Sequence, residues 1–123
     1  MSYISGMLAA VPLAKKAAYL EYAQRAWPLF ERHGALDMVE NWGDEVPEGA
    51  LTSFPMAVKL EPGESVVMSW ITWPDKATSD ACMASMQSDP AWEAMGEMPF
   101  DGKRMIFGGF ETVLRCVGGQ KEW

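Results

Sequence analysis

The sequence has little of what most metal and redox sites need. It contains one histidine, His33, and two cysteines, Cys82 and Cys116, which lie in separate predicted elements without CxxC spacing. These counts exclude multi-histidine metal sites and zinc clusters, so we expect neither a metal nor a cofactor. Two scattered cysteines are typical of buried, reduced thiols in a reducing compartment, which predicts a cytoplasmic protein.

Basic residues and long apolar runs are also scarce. The 123-residue chain has 10 Lys and Arg against 17 Asp and Glu, a net charge of −7. Nucleic-acid binding needs clustered cations, so no nucleic-acid partner is expected. No stretch approaches the roughly 20 apolar residues of a membrane helix, so no membrane association is expected either. The length predicts one domain over residues 1–114 and a loose C-terminal tail over 115–123.

Four segments have the composition of strands that are buried on both faces. They lie near residues 3–11, 35–44, 66–73 and 103–114. Helical spacing of apolar residues predicts helices over 15–33 and 75–88, the second restarting at Asp89-Pro90. We expect Pro28 to kink the first helix. The long loop Gly43–Ser65 is expected near a pocket mouth, with one helical turn near Pro55–Val58.

The order strand, helix, strand, strand, helix, strand predicts an α+β fold of the ferredoxin-like βαββαβ type. Its sheet would be antiparallel, in the order 4-1-3-2, with two helices on one face. The strands are nevertheless apolar on both faces. The face without helices would expose on the order of 600 Å², at the upper limit for a soluble monomer. We therefore expect a homodimer that pairs through this sheet face.

Several longer strings are specific enough to suggest a family. They are SYISG, HGAL, VENWGDEVPEG, LTSFP, VVMSWITWP and MPFDGKRMIFGGFE. Together they resemble the YbaA-like domain-of-unknown-function family (family 1428) over about residues 2–114. The resemblance implies the dimeric α/β-barrel fold, in which ferredoxin-like protomers pair through their sheets. It implies no activity.

Six residues are candidates for lining a barrel between the two sheets: Tyr3, Met7, Glu40, Trp42, Trp70 and Arg104. Glu40 interrupts an apolar strand, so it is paired in a salt bridge, exposed, or raised in pKa and able to act as a base. Arg104 either ends a turn that begins at Asp101 or points into the barrel to hold an anionic group. If both face the barrel, Glu40 and Arg104 would interact across the subunits, because strands two and four are opposite edges of one sheet.

Two further features have ordinary structural interpretations beside functional ones. His33 suits the negative end of a helix, and a base or haem ligand is the alternative. Gly108-Gly109 is more typical of a strand bulge or a close backbone approach than of a phosphate cradle, which would need a following helix.

Two hypotheses for function follow. The first is a non-catalytic module that binds a small hydrophobic ligand or serves in a stress response, because no residue constellation indicates catalysis. The alternative is a cofactor-free enzyme, similar to a monooxygenase or an isomerase, acting on a small hydrophobic substrate in the barrel. An RNA-associated role is disfavoured by the charge. Whether the barrel is hollow distinguishes the first two hypotheses.

Overall fold

The computed structural model describes residues 2–122, and its main sheet has four antiparallel strands. The strands are β1 Tyr3–Pro12, β2 Asp37–Trp42, β3 Glu64–Trp73 and β4 Ile106–Glu111. The helices are α1 Lys16–Arg32, α2 Phe54–Ala57, α3 Lys76–Ser85 and α4 Pro90–Glu93. The sheet order is β2-β3-β1-β4. The predicted ferredoxin-like topology is therefore confirmed.

The register assigns each strand residue to one of two faces. Tyr3 lies opposite Trp73 on β3, and Gly6 lies opposite Trp70. Because successive side chains alternate, the odd-numbered residues of β1 and β3 share one face and the even-numbered residues share the other. We call these the helix face and the open face.

The helix face holds most of the hydrophobic core. One cluster joins Tyr19 of α1 to Ala9, Val11 and Val67 of the sheet. A second cluster contains Trp73, whose side chain is fully buried against α1 and α3. The β1 and β3 residues in both clusters are odd-numbered and pack with residues of α1 and α3, which places these helices on one face, as the topology requires.

The long segment after β2 covers one end of the open face. Val58, which follows α2, is fully buried and packs with Ala10 and Val66. Ser53 caps α2 by accepting a hydrogen bond from the backbone N–H of Met56, so the predicted helical turn is present. The open face is thus partly covered by its own chain, whereas the sequence suggested that a partner alone would cover it.

Gly109 allows a close approach between β1 and β4. A Cβ atom at position 109 would lie 1.9 Å from the phenol oxygen of Tyr3 and 2.6 Å from Cζ of its ring. Both distances are far below van der Waals contact, so a side chain at position 109 would require the Tyr3 ring to move. The backbone of Gly109 is thus closely approached, as predicted for the glycine pair, and the approaching group is a side chain.

The two predicted helical regions end close to the expected residues, and the second one divides as expected. Helix α1 continues through Pro28 to Arg32, and Gly34 follows with a φ of +102°, a left-handed conformation that favours glycine. The kink at Pro28 stays a prediction. The second helical region divides as expected, since Asp89 caps α4 through the backbone N–H of Ala91.

The chain after β4 is more ordered than expected. Instead of a loose tail, β5 Arg115–Val117 pairs with β6 Gln120–Glu122 in a separate two-stranded hairpin. Gly119, at the turn, has a φ of +80°. The glycine pair Gly118-Gly119 is the turn signal in this segment. The final residue of the predicted tail, Trp123, lies outside the described residues.

Candidate functional site

The part of the open face that α2 leaves uncovered forms an apolar groove of about 410 Å³. Even-numbered residues of β1, β3 and β4 form its floor, and Phe54 of α2 borders it. The main lining side chains are Ile4, Leu8, Met68, Trp70, Ile106 and Phe110. Ligand pockets for small molecules have volumes of roughly 300–1,000 Å³ and are mostly apolar, so the groove has the size and character of one.

Two glycines shape the floor of the groove. Cβ atoms added at Gly6 and Gly108 would lie 3.3 and 3.4 Å from the ring of Phe110. The ring therefore lies over the stretch of β1 and β4 that carries no side chains. Phe110 is nevertheless 60% exposed, because nothing in the described chain covers its outer side.

The groove has no ionisable side chain among its lining residues. It can exclude water and hold apolar surface, but it offers neither a general base nor a charged anchor. The lining side chains are therefore suited to binding by apolar contact and shape.

Of the six predicted lining residues, Trp70 is the one whose side chain faces the groove. Met7 borders it as part of β1, but its side chain packs with the Tyr19 cluster on the helix face. Tyr3, Glu40 and Trp42 also lie on the helix face, which corrects the expected placement. Tyr3 packs with the Trp73 cluster, and Trp42 packs with Tyr19.

These residues were assigned to the wrong face of the sheet because of the alternating pattern of the strands. Both alternating sets are apolar in β1 and β3, so the sequence does not show which set meets the helices. The residues missed were Ile4, Leu8, Met68, Ile106, Phe110 and Phe54. The pairing of Trp70 with Gly6 and of Gly6 with Gly108 places most of these residues on the same face of the sheet. Predicting them would have required the strand registers.

Arg104 does not line the groove. Its guanidinium donates to both carboxylate oxygens of Glu64, at 2.8 and 2.7 Å, and to Asp101 at 3.0 Å. It also donates to the backbone carbonyl of Lys59. Arg104 thus joins the turn before β4 to the start of β3, and its hydrogen bond holds the pKa of Glu64 below the ordinary value. The turn interpretation was correct for this residue.

The proposed contact between Glu40 and Arg104 across the subunits is also corrected. Glu40 accepts a short hydrogen bond from the phenol of Tyr19 on the helix face of its own chain. The guanidinium of Arg104 is occupied by Glu64 and Asp101. Neither side chain faces the groove, so they have no route to each other through a sheet-to-sheet interface.

Tyr19, Glu40 and Ser69 form a polar cluster within the apolar helix face. The Tyr19 phenol donates to Glu40 and also interacts with the Ser69 hydroxyl. Burial raises the pKa of Glu40 above its ordinary value, and the hydrogen bond from Tyr19 only partly offsets this. Burial, followed by the contact with Glu40, raises the pKa of the Tyr19 phenol far above its usual range.

Replacing Glu40 with glutamine should flatten the pH dependence of stability. The folded state binds the Glu40 proton more tightly than the unfolded state, so this proton stabilises the fold fully below pH 4.5. That contribution is lost as the pH rises from 4.5 to the raised folded pKa. Glutamine carries no such proton, so the loss should disappear. Urea denaturation between pH 4 and pH 8 measures it.

The control for this experiment is Glu45→Gln, because Glu45 is exposed in the loop after β2. It should keep the pH dependence of the parent protein. An unchanged pH profile in Glu40→Gln would contradict the assignment of a raised pKa to Glu40.

The remaining candidates have structural surroundings. His33 follows α1 and stacks on Trp92, with ring centroids 6.1 Å apart, and its Nε2 lies 3.7 Å from Asp89. Cys82 is buried, but Cys116 is exposed on β5, which corrects the prediction of two buried thiols. Within residues 2–122, no cluster of three potential metal ligands occurs. No helix in this range is long and apolar enough to cross a membrane.

Comparison with known proteins gives matches to sequence and to fold. A family model described as "Protein of unknown function (DUF1428)" matches residues 2–102. The chain is 53% identical over 115 residues to "Uncharacterized protein YbaA" of Escherichia coli K12, covering 93% of this chain and 98% of that protein. The same identity and coverage hold for the YbaA protein of Shigella flexneri.

Among solved structures, the chain resembles a dimeric ferredoxin-like protein from an uncultured marine organism. The TM-score is 0.52, with 11% sequence identity, over 89% of this chain and 91% of that one. At this identity the likeness concerns the fold alone.

Proposed function

This chain belongs to the DUF1428 family, whose description names no activity, and we propose a function from the surface of the protein itself. The protein is a homodimer that binds a small apolar ligand between the sheets of its two subunits. The observation that carries the proposal is the groove on the open face. Its floor is apolar, it has the volume of a small-molecule site, and its outer side is uncovered.

Covering the groove with a second copy satisfies two requirements. It removes exposed apolar side chains such as Phe110 and Ile106, at 60% and 43% exposure, from water. It also brings two concave surfaces together, so that the space between them is enclosed. A dimeric protein with the same fold supports this arrangement. Symmetric pairing through one self-complementary face is the commonest form of assembly.

The groove favours binding over catalysis. The enzyme alternative needs an acid, a base or a nucleophile at the substrate, and the one hydroxyl among the lining residues, that of Ser69, is buried against Tyr19 on the helix face. Glu40, which has the raised pKa a base would need, faces the helices instead. The net charge of −7 gives no support to a nucleic-acid partner. A cytoplasmic location stays a prediction.

Two measurements on the parent protein test the proposal. Sedimentation velocity across a dilution series should show a dimer at micromolar concentrations. Titration with N-phenyl-1-naphthylamine, a neutral apolar fluorophore, should then show saturable binding with a fixed number of sites per dimer. A monomer at all concentrations would refute the homodimer. A dimer without saturable binding would refute the ligand site but would not contradict the homodimer.

A further inference from the structure

The segment after β4 exposes apolar side chains that the protomer does not cover. Val113 is 80% exposed, Leu114 is 59% exposed and Val117 is 37% exposed. The hairpin that follows forms its own two-stranded sheet, apart from the main one. We call residues 113–122 the arm.

An isolated two-stranded hairpin has marginal stability in water. The apolar side chains of the arm gain little from their own protomer, since Val113, Leu114 and Val117 are all exposed. Removing them from water requires another surface against which they pack.

The base of the arm is fixed at the edge of the main sheet. The backbone N–H of Thr112 donates to the carbonyl of Ser2 at 3.0 Å, and the Ser2 hydroxyl donates to the Thr112 hydroxyl at 2.9 Å. These bonds hold the start of the arm beside the first residues of β1, two positions beyond Phe110 of the groove. The arm and the open face are thus continuous along the chain.

Interface area favours a second copy of this chain as the surface that receives the arm. A stable dimer buries about 800 Å² on each partner, whereas the open face offers on the order of 600 Å². Val113 and Leu114, which are 80% and 59% exposed, add roughly 200 Å² at typical apolar side-chain areas. The face alone falls short of a standard interface, and the face together with these two side chains reaches about that size.

We infer that the arm crosses to the second subunit and packs its apolar side chains there, so that each subunit of the dimer holds the other. The inference rests on the proposed homodimer and adds to it the segment that completes the interface.

The first test is the paired variant Val113→Ser with Leu114→Ser. Both side chains are exposed in the protomer, so its fold should be unaffected, as thermal denaturation would check. Loss of the two apolar contacts should raise the dimer dissociation constant about 10- to 100-fold, measured by sedimentation. Gly118→Ala is the control, because a Cβ atom at Gly118 meets nothing within 4 Å, and it should dimerise like the parent.

The second test uses the exposed thiol of Cys116. A maleimide benzophenone reacts there and not at Cys82, which is fully buried. Irradiation of dimers mixed from ¹⁴N- and ¹⁵N-labelled protein should give cross-linked peptides that combine both isotopes. Cross-links within one isotope only, with an unchanged dissociation constant in the paired variant, would refute the crossing of the arm but would not contradict the homodimer. A parent protein that stays monomeric would overturn both.

Discussion

Replacing Phe110 with glutamate is expected to convert the dimer into monomers. Phe110 lies over Gly6 and Gly108 on the open face, and more than half of its side chain is exposed in the protomer. In the dimer, the variant would place one unpaired carboxylate from each subunit in an apolar interface. Burying such groups without partners costs about 4 kcal/mol or more, so the dissociation constant should rise about a thousandfold.

The control for this variant is Leu20→Glu, which introduces the same charge on α1, where Leu20 is 40% exposed. Helix α1 covers the opposite face of the sheet, so this variant should remain dimeric. Sedimentation of both variants at equal concentrations makes the comparison. If Phe110→Glu dimerises as tightly as Leu20→Glu, the open face is not the interface.

Replacing Trp73 with alanine is expected to cause a large loss of stability. The side chain is fully buried, its indole N–H donates to the Ser5 hydroxyl at 3.0 Å, and Phe30 packs edge-on against its ring. Removing a buried tryptophan leaves a cavity and should lower the free energy of unfolding by about 3–5 kcal/mol. Urea denaturation in the monomeric Phe110→Glu background measures this without a contribution from dimerisation.

Trp70→Ala is the matched control, three residues away on the same strand but on the open face. In the same background it should cost less than half as much, because its side chain is only partly buried. In the parent background, Trp70→Ala should instead weaken probe binding. Trp73→Phe keeps an aromatic ring but loses the hydrogen bond to Ser5. This variant replaces Trp73→Ala in the measurement if Trp73→Ala does not fold. Equal losses for Trp70→Ala and Trp73→Ala would contradict the assignment of the two faces.

The sequence was sufficient to predict the fold. The apolar strand near 66–73, the glycine after α1 and the Asp89-Pro90 restart each depend on local rules of backbone conformation. Element order then restricts the topology strongly, because connections between neighbouring strands follow few patterns. Strand ends moved by up to three residues, as at β4, where the turn held by Arg104 takes the place of the first predicted strand residues.

The candidate site could be predicted only in part. A lining residue is defined by the face of its strand, and the face depends on registers that non-local pairing sets. Trp70 does lie on the open face, as expected. Glu40 was predicted to lie there as well, because a charged residue in an apolar strand suggested a pocket, but it lies on the helix face. Its partner, Tyr19, lies 21 positions earlier on a helix. No local pattern connects the two residues.

The contact between Tyr3 and Gly109 has a consequence for how relatives of this protein can diverge. The two positions are 106 residues apart, yet the phenol ring occupies the space that any side chain at 109 would need. A replacement of Gly109 therefore requires either that the Tyr3 ring moves or that position 3 holds a smaller residue. A smaller residue at position 3, in contrast, leaves Gly109 free to vary. We therefore expect an order of substitution in descent, in which the change at the aromatic position comes before the change at the glycine.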